Sequence, residues 1–179
     1  MIDIGDRLTV AVGAEPERIG WVVRSVRTAR ESRMAAGLEA EAIDIGAFVI
    51  VGAGTDQRSL DELVRGNASI SAHFQRDVTS SLSSPDATVV AEVTSRYDTY
   101  HHGLEHASQA EVIPADFLNR FCVIGAPDHC TERLCQLVEL GLSHLAIVSG
   151  SRDIDASVRE SSDHLIASEV LPAMRDVFA

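Results

Sequence analysis

The side chains with the greatest potential for chemistry lie in one short segment, residues 97–106. Its phenol, imidazole and carboxylate groups can transfer protons near neutral pH or bind a ligand. The full set is Tyr97, Asp98, Tyr100, His101, His102, Glu105 and His106. We predict contacts to a cofactor or substrate for Tyr97, Asp98, His101 and His102, while a solvated or capping cluster is the alternative. The sequence assigns none of them as a catalytic acid or base.

The spacing of His102 and His106 suggests a metal site as a second hypothesis. Residues four apart share one face of a helix, and Asp98 or Glu105 could complete the ligand set. The zinc-protease pattern, however, requires a glutamate directly after its first histidine. Gly103 occupies that place and would weaken the helix that must hold the ligands. We therefore predict no metal, and a metal hydrolase is the most distant functional hypothesis.

Nucleophilic catalysis has less support. The run Ser149-Gly150-Ser151 follows an apolar segment, but the chain has no Gly-x-Ser-x-Gly elbow. The three cysteines lie within apolar or helical patterns and lack a paired Cys-x-x-Cys spacing. We interpret them as small core residues in a reducing compartment. They are Cys122, Cys130 and Cys135.

The elements that must position these groups are clearest from Phe121 to Gly150. An apolar lead-in reaches the turn Gly125-Ala126-Pro127, and apolar residues then recur at helical spacing up to Gly141. Pro127 suits the first helical position, where its missing N–H costs nothing. The apolar run Leu145–Val148 follows without polar alternation. Such a run is typical of a parallel strand buried on both faces, and therefore of an α/β fold.

Two further β/α units precede this stretch. Strands are predicted at Leu8–Val12 and Ile43–Val51, each followed by a helix, the second of them capped by Asp56. Apolar residues at helical spacing from Leu165 to Met174 predict a closing helix. The order predicts a parallel sheet covered by helices in one domain, residues 1–179. On the first helix, which ends near Gly37, the arginines expected to stay in water are Arg18, Arg24, Arg27 and Arg30.

The β/α pattern is interrupted at about residues 79–116. A polar, serine-rich loop opens this insertion, and Ala87–Tyr97 predicts a further helix. Long additions after barrel strands lie at the face where catalysis occurs. We therefore expect substrate contacts in this insertion, which includes the 97–106 segment.

Composition narrows the range of partners. The 179-residue chain carries a net charge of -12 and offers no cluster of lysine and arginine, so we expect neither nucleic acid nor an anionic membrane as partner. No apolar run approaches the ~20 residues of a membrane span, and no signal segment opens the chain. These features predict a cytoplasmic protein.

Five segments carry a resemblance to a known family. They are Ile4–Ala14, Tyr97–Gly103, Asp116–Phe121, Ile124–Cys130 and Glu139–Leu142. In this order and spacing they resemble the C-terminal part of luciferase-like flavin- or deazaflavin-dependent oxidoreductases. The similarity is closest to the methylenetetrahydromethanopterin reductase type and covers nearly the whole chain.

The resemblance implies a partial TIM-type (β/α) barrel, roughly the last three β/α units plus the insertion. It also implies FMN or coenzyme F-420 as cofactor, and hydride transfer or oxygen insertion (a monooxygenase reaction) on a small-molecule substrate. Gly125, in the fourth matching segment, joins the candidate cofactor or substrate contacts.

A complete barrel needs eight strands and typically about 250 residues, and this chain has three secure strands. We therefore expect the C-terminal portion of an oxidoreductase that is inactive alone and binds neither cofactor tightly. A non-catalytic remnant half barrel serving as an interaction module is the alternative. Open sheet edges favour association, either as a homo-oligomer or with a complementing N-terminal half.

Overall fold

The computed structural model describes residues 7–38, 42–76 and 84–178. Residues 4–6 of the first resembling segment and residues 79–83 of the serine-rich loop lie outside these ranges. The strands are β1 (Arg7–Val10), β2 (Asp44–Ala53), β3 (Val123–Gly125) and β4 (His144–Val148). The helices are α1 (Pro16–Ala35), α2 (Gln57–His73), α3 (Ser84–Ser95), α4 (Ser108–Glu111), α5 (Ala115–Phe121), α6 (Pro127–Glu139), α7 (Ala156–Leu165) and α8 (Leu171–Phe178), with a 3₁₀ turn at Thr99–His101 and a π-helical turn at Ile166–Val170.

The sheet is built around β2, which pairs in parallel with each of the other three strands. Gly46 and Ala47 pair with both β1 and β4, so these two strands lie on opposite edges of β2. A strand can join a parallel neighbour only through a crossover connection. α1 occupies the connection from β1 to β2, and α2 to α5 occupy the one from β2 to β3. The α/β class and the three predicted strands are confirmed, with bounds that differ by at most two residues.

The short strand β3 was not predicted, because Val123 and Ile124 were read as part of an apolar lead-in and Gly125 as part of the turn that follows it. It pairs with Val51–Ala53, the carboxyl end of β2. Just before it, the carbonyl of Phe121 accepts a hydrogen bond of 2.8 Å from the N–H of Ala14. Together, β3 and this hydrogen bond bring the turn after β1, the end of β2 and the start of α6 into one region.

Side chains alternate across β2, and each face meets a different helical layer. Ile45, Ala47, Val49 and Val51 form one core with α1, α6 and the π-helical turn. On the second face, Ile50 packs with α2, α3 and α5 in a separate core. This second layer covers only the carboxyl half of that face, because Phe48, nearer the amino end, remains 46% exposed.

A close approach marks the amino half of the second face. The His144 ring lies over Gly46, where a Cβ would come within 2.2 Å of its Nε2. The same nitrogen is 2.8 Å from Thr9 Oγ1, on the far side of β2. Glycine at position 46 therefore lets one side chain connect the two strands that flank β2.

Two expectations about exposure were wrong. Arg18 does not stay in water with the other arginines of α1 but is 4% exposed, because it has a buried acidic partner in α3. The strand β4 is only partly buried at all five positions. Its apolar sequence would suit two covered faces, but β2 is its only strand partner within the described part of the chain.

Candidate functional site

The Tyr97–His102 segment is held by its own side chains and by a buried glutamine. Asp98 caps the 3₁₀ turn by accepting a hydrogen bond of 2.9 Å from the N–H of Tyr100. Gln109, fully buried in α4, donates to the carbonyls of Asp98 and His101 at 3.2 and 3.3 Å. The side chain of Gln109 therefore fixes the backbone of the turn, a role that its sequence position alone did not reveal.

Asp98 and His101 form an exposed pair. The Asp98 carboxylate is 2.6 Å from His101 Nδ1, and this hydrogen bond lowers the pKa of Asp98, assisted by the bond from the Tyr100 N–H. Both side chains are about half exposed, at 40% and 57%. The pair can therefore meet a ligand that approaches from solvent.

Tyr97 and His102 form a second, more buried pair. The Tyr97 hydroxyl contacts His102 Nδ1 in a short hydrogen bond. The ring of His73, from α2, stacks on Tyr97 with 3.8 Å between centroids and 13° between planes. Burial raises the pKa of Tyr97, so the phenol keeps its proton at neutral pH. A neutral phenol joined to an imidazole can donate or relay a proton to a bound polar group.

His102 and His106 do not share a helix face. Gly103, between them, has φ of +75°, a conformation that ends the turn rather than continuing it. The carbonyl of Gly103 accepts a hydrogen bond from the N–H of Arg152 and lies where a Cβ on Gly66 of α2 would be only 2.5 Å away. The shared helix face that the metal hypothesis for His102 and His106 requires is therefore absent from this segment.

His106 instead pairs with an aspartate from the far end of the chain. Its Nδ1 contacts the Asp153 carboxylate, in the loop after β4. The other oxygen of Asp153 accepts a hydrogen bond of 2.6 Å from the N–H of Glu105. Burial raises the pKa of Glu105, as does the nearby charge of Glu62. Sequence reasoning missed Asp153 because no local spacing connects it with residues 105 and 106.

Gly125 lies apart from the other four candidates. It ends β3 with φ of +143°, which favours glycine, and its carbonyl accepts a 2.8 Å hydrogen bond from the N–H of Gly54. A Cβ here would approach the His129 ring at 3.0 Å. Within the described residues, the neighbours given by these contacts come from the end of β2 and from α6. Gly125 therefore belongs to the strand ends, and the Tyr97–His102 segment forms a separate cluster.

A buried ionic bridge joins three of the helices. The Asp86 carboxylate, 2% exposed, accepts from Arg18 at 3.3 Å and from Arg120 at 2.7 Å. Arg18 also donates to the carbonyl of Val12, at the end of the first strand region, and its guanidinium lies 5.7 Å from the Phe121 ring centroid. Asp86 therefore ties α3 to both α1 and α5.

The cysteines are poor nucleophiles in this structure. All three are buried and free of disulfides, as the sequence predicted. Burial raises the pKa of the Cys130 thiol to about 11, and the pKa values of Cys122 and Cys135 are raised by the same cause. The thiolate is the reactive form, so thiol chemistry at neutral pH is disfavoured.

A parallel sheet with helices on both faces and glycine turns at its carboxyl ends is an α/β architecture, and comparison with known proteins identifies the class. The sequence profile of the luciferase-like monooxygenase family matches residues 1–144, and the chain belongs to this family. No curated protein sequence gives a significant match.

Solved structures support the fold. The coenzyme F-420-dependent tetrahydromethanopterin reductase from Methanopyrus kandleri superimposes with a TM-score of 0.62 and 18% sequence identity. The match covers 96% of this chain and 46% of that chain, so this protein spans about half the length of that structure. The partial-barrel prediction is confirmed. No helix in the described ranges is long and apolar enough to cross a membrane.

Proposed function

We propose that this chain supplies the C-terminal half of a luciferase-like (β/α) barrel that acts as a flavin- or coenzyme F-420-dependent oxidoreductase. The complete barrel transfers a hydride to, or inserts oxygen into, a small organic substrate. The observation that carries the proposal is the family match over a chain whose strand ends and turns gather at one edge of a parallel sheet. In barrel enzymes the chemistry occurs at that carboxyl edge.

In this proposal, a complementing N-terminal half supplies the strands that complete the barrel. Association between copies of this chain is the second option. The amino half of the second sheet face supports the need for a partner. Phe48 is 46% exposed there, and β4 is partly exposed along its whole length. Apolar strands left open in this way favour pairing with another chain.

The residues of this half do not fit a whole FMN or coenzyme F-420 molecule. Helix N-termini bind phosphate through their free N–H groups, but an acidic residue stands at the start of each helix that follows a strand. Glu17 and Asp128 lie in the first turns of α1 and α6, and Asp56 and Asp155 hold the N-cap positions of α2 and α7. An open groove of about 660 Å³ is lined by charged side chains of α2 rather than by apolar residues. We therefore expect the other half to hold most of the cofactor, and we derive no reaction step through it.

Within the complete enzyme, Tyr97 and His102 bind a polar group of the substrate or cofactor, while Asp98 and His101 contact its exposed side. Replacing His101 and His102 together with alanine in the complete enzyme should lower turnover by at least roughly tenfold without changing its melting temperature. His106→Ala serves as the matched control, because this histidine lies in the same segment but pairs with Asp153. Unchanged turnover in the double variant would make the cluster a solvated surface.

Cofactor binding separates the half-barrel proposal from a self-sufficient enzyme. The chain should be purified alone and after co-expression with a polypeptide that encodes the preceding barrel strands. We expect a flavin or deazaflavin absorbance band only in the co-expressed sample, because one wall of a pocket buries too little of a ligand to hold it tightly. A band that co-purifies with this chain alone would refute the need for a second half.

A non-catalytic interaction module is the second candidate, and one observation favours it. The α2 helix packs over the carboxyl half of the open sheet face, where a Cβ on Gly52 would lie 3.2 Å from Leu63 and 3.3 Å from Val64. A half barrel covered in this way has part of the core that an independent domain requires. Sedimentation velocity at micromolar concentration distinguishes the two. A compact monomer with a cooperative melt and no affinity for either cofactor favours the module, whereas a dimer or aggregate favours the incomplete barrel.

A further inference from the structure

We propose that Glu105, His106 and Asp153 bind a divalent transition-metal ion of the zinc class and thereby join the insertion to the loop after β4. One ligand atom from each of these residues lies within 4.8 Å of the others. The first two residues are adjacent in the insertion, and the third comes from the loop that follows the last strand. The site is therefore formed by tertiary structure and is independent of the oxidoreductase chemistry proposed above.

The ligand set selects the class of metal. It combines one imidazole nitrogen with two carboxylate oxygens, a mixture that suits zinc and its neighbours better than calcium or magnesium, which prefer oxygen alone. His106 thus distinguishes this group from an ordinary acidic patch. Three protein ligands also leave a fourth position for water, as in the open zinc sites of proteins.

The geometry requires side-chain rotation but little backbone movement. With metal–ligand distances of about 2.1 Å, the ligand atoms of a tetrahedral site lie roughly 3.4 Å apart. The Asp153 carboxylate already points at the other two residues, because it contacts His106 Nδ1 and accepts from the N–H of Glu105. The backbone bond from Arg152 to Gly103 holds the same two segments together. The His106 side chain is 66% exposed and is free to turn toward a bound ion.

The surrounding charge favours a cation. Glu105 lies at the edge of the groove of about 660 Å³, whose wall also carries Asp61, Glu62 and Glu111. Of the two arginines in this wall, Arg58 pairs with Glu62 at 3.0 Å, and Arg65 lies 3.8 Å from Glu105. Carboxylates therefore outnumber cationic groups, and the groove gives a hydrated ion a path to the three ligands.

Zinc titration of the full chain by isothermal calorimetry, after treatment with chelator, tests the proposal. We expect one ion per chain and affinity at least tenfold weaker in His106→Gln and in Asp153→Asn, because loss even of an outer partner of a metal ligand costs 10–100-fold. His101→Gln is the matched control, since His101 also pairs with an aspartate through Nδ1 but has no third ligand in the part of the chain that the structure describes. Its affinity should equal that of the wild type.

Thermal melts separate loss of a ligand from loss of folding. Each variant is melted without and with zinc, and the melt without zinc shows whether the variant still folds. Glu105→Gln is added as a third ligand variant, because it keeps the hydrogen bond from the backbone N–H of residue 105 to Asp153. We expect zinc to raise the melting temperature of the wild type and of His101→Gln, but not of the three ligand variants. Absence of binding would overturn the proposal. Equal affinity in all five proteins would also overturn it, because it would show only surface association of zinc with histidines.

Discussion

Replacing Asp86 with asparagine should destabilise the protein strongly. The substitution keeps the size of the side chain but removes the charge between Arg18 and Arg120. The Arg18 side chain is 3% exposed, and burial already lowers its pKa despite the opposing charges of Glu15 and Asp86. Breaking a buried ion pair by removing one partner costs about 3–5 kcal/mol, because a buried charge then loses a partner that water cannot replace. Glu15, which is partly exposed, still lies 3.2 Å from Arg18 in the variant.

This cost converts to a measurable shift in melting temperature. For a chain of 150–250 residues, 1 kcal/mol changes the melting temperature by about 2–4 °C, so Asp86→Asn should lower it by roughly 6–20 °C. Circular dichroism at 222 nm during heating would measure the shift. The matched control is Asp116→Asn, which removes the other carboxylate bound to Arg120 at 3.1 Å.

The Asp116 side chain is 71% exposed, so its pair is screened by water, and we expect little change. Equal shifts in the two variants would refute the view that burial gives the Asp86 bridge its strength. A small shift in both would show that the arginines find other partners once Asp86 is neutral. In that case α3 would not depend on the bridge for its position against α1 and α5.

Two further predictions concern the sheet and the acid response. Gly46→Ala should destabilise by about 1–3 kcal/mol in chemical denaturation, because its Cβ would lie 2.2 Å from the His144 ring, and the cost should shrink in a His144→Ala background. The pKa values of Asp98 and Asp155 are lowered, chiefly by hydrogen bonds from His101 and Ser157. The two carboxylates stabilise the folded state fully above their unfolded pKa of about 3.9, and this stabilisation is lost as pH falls through their lower folded pKa values. The melting temperature should therefore decrease when the pH is lowered below about 4. A flat acid profile would contradict this assignment.

The sequence predicted the elements whose signal is local. The apolar run that became β2 and the Gly-Ala-Pro turn before α6 are contained within a few residues, and both lie where expected. The burial of Arg18 was missed because its partner Asp86 is 68 residues away. A charged residue at an arginine-rich helix surface looks solvated until the tertiary partner is known.

In the candidate site, too, the sequence predicted the local features and missed a long-range contact. The segment containing Tyr97, Asp98, His101 and His102 was predicted from its composition, and its two hydrogen-bonded pairs connect neighbours only three and five residues apart. The membership of Asp153 depended on the loop after β4 folding against the insertion, which no local pattern encodes. The cofactor and substrate roles of the four residues, and of Gly125, remain predictions.

If a second half completes the barrel, as proposed above, the two halves of the second sheet face set different requirements for it. At the carboxyl half, α2, α3 and α5 already pack against Ile50. At the amino half, Phe48 is exposed beside the His144 ring, which spans Gly46 to reach Thr9. Interiors of barrels are filled by layers of side chains. Completing strands must therefore bring apolar side chains to Phe48 at the amino half, while at the carboxyl half they meet a surface of helices and turns.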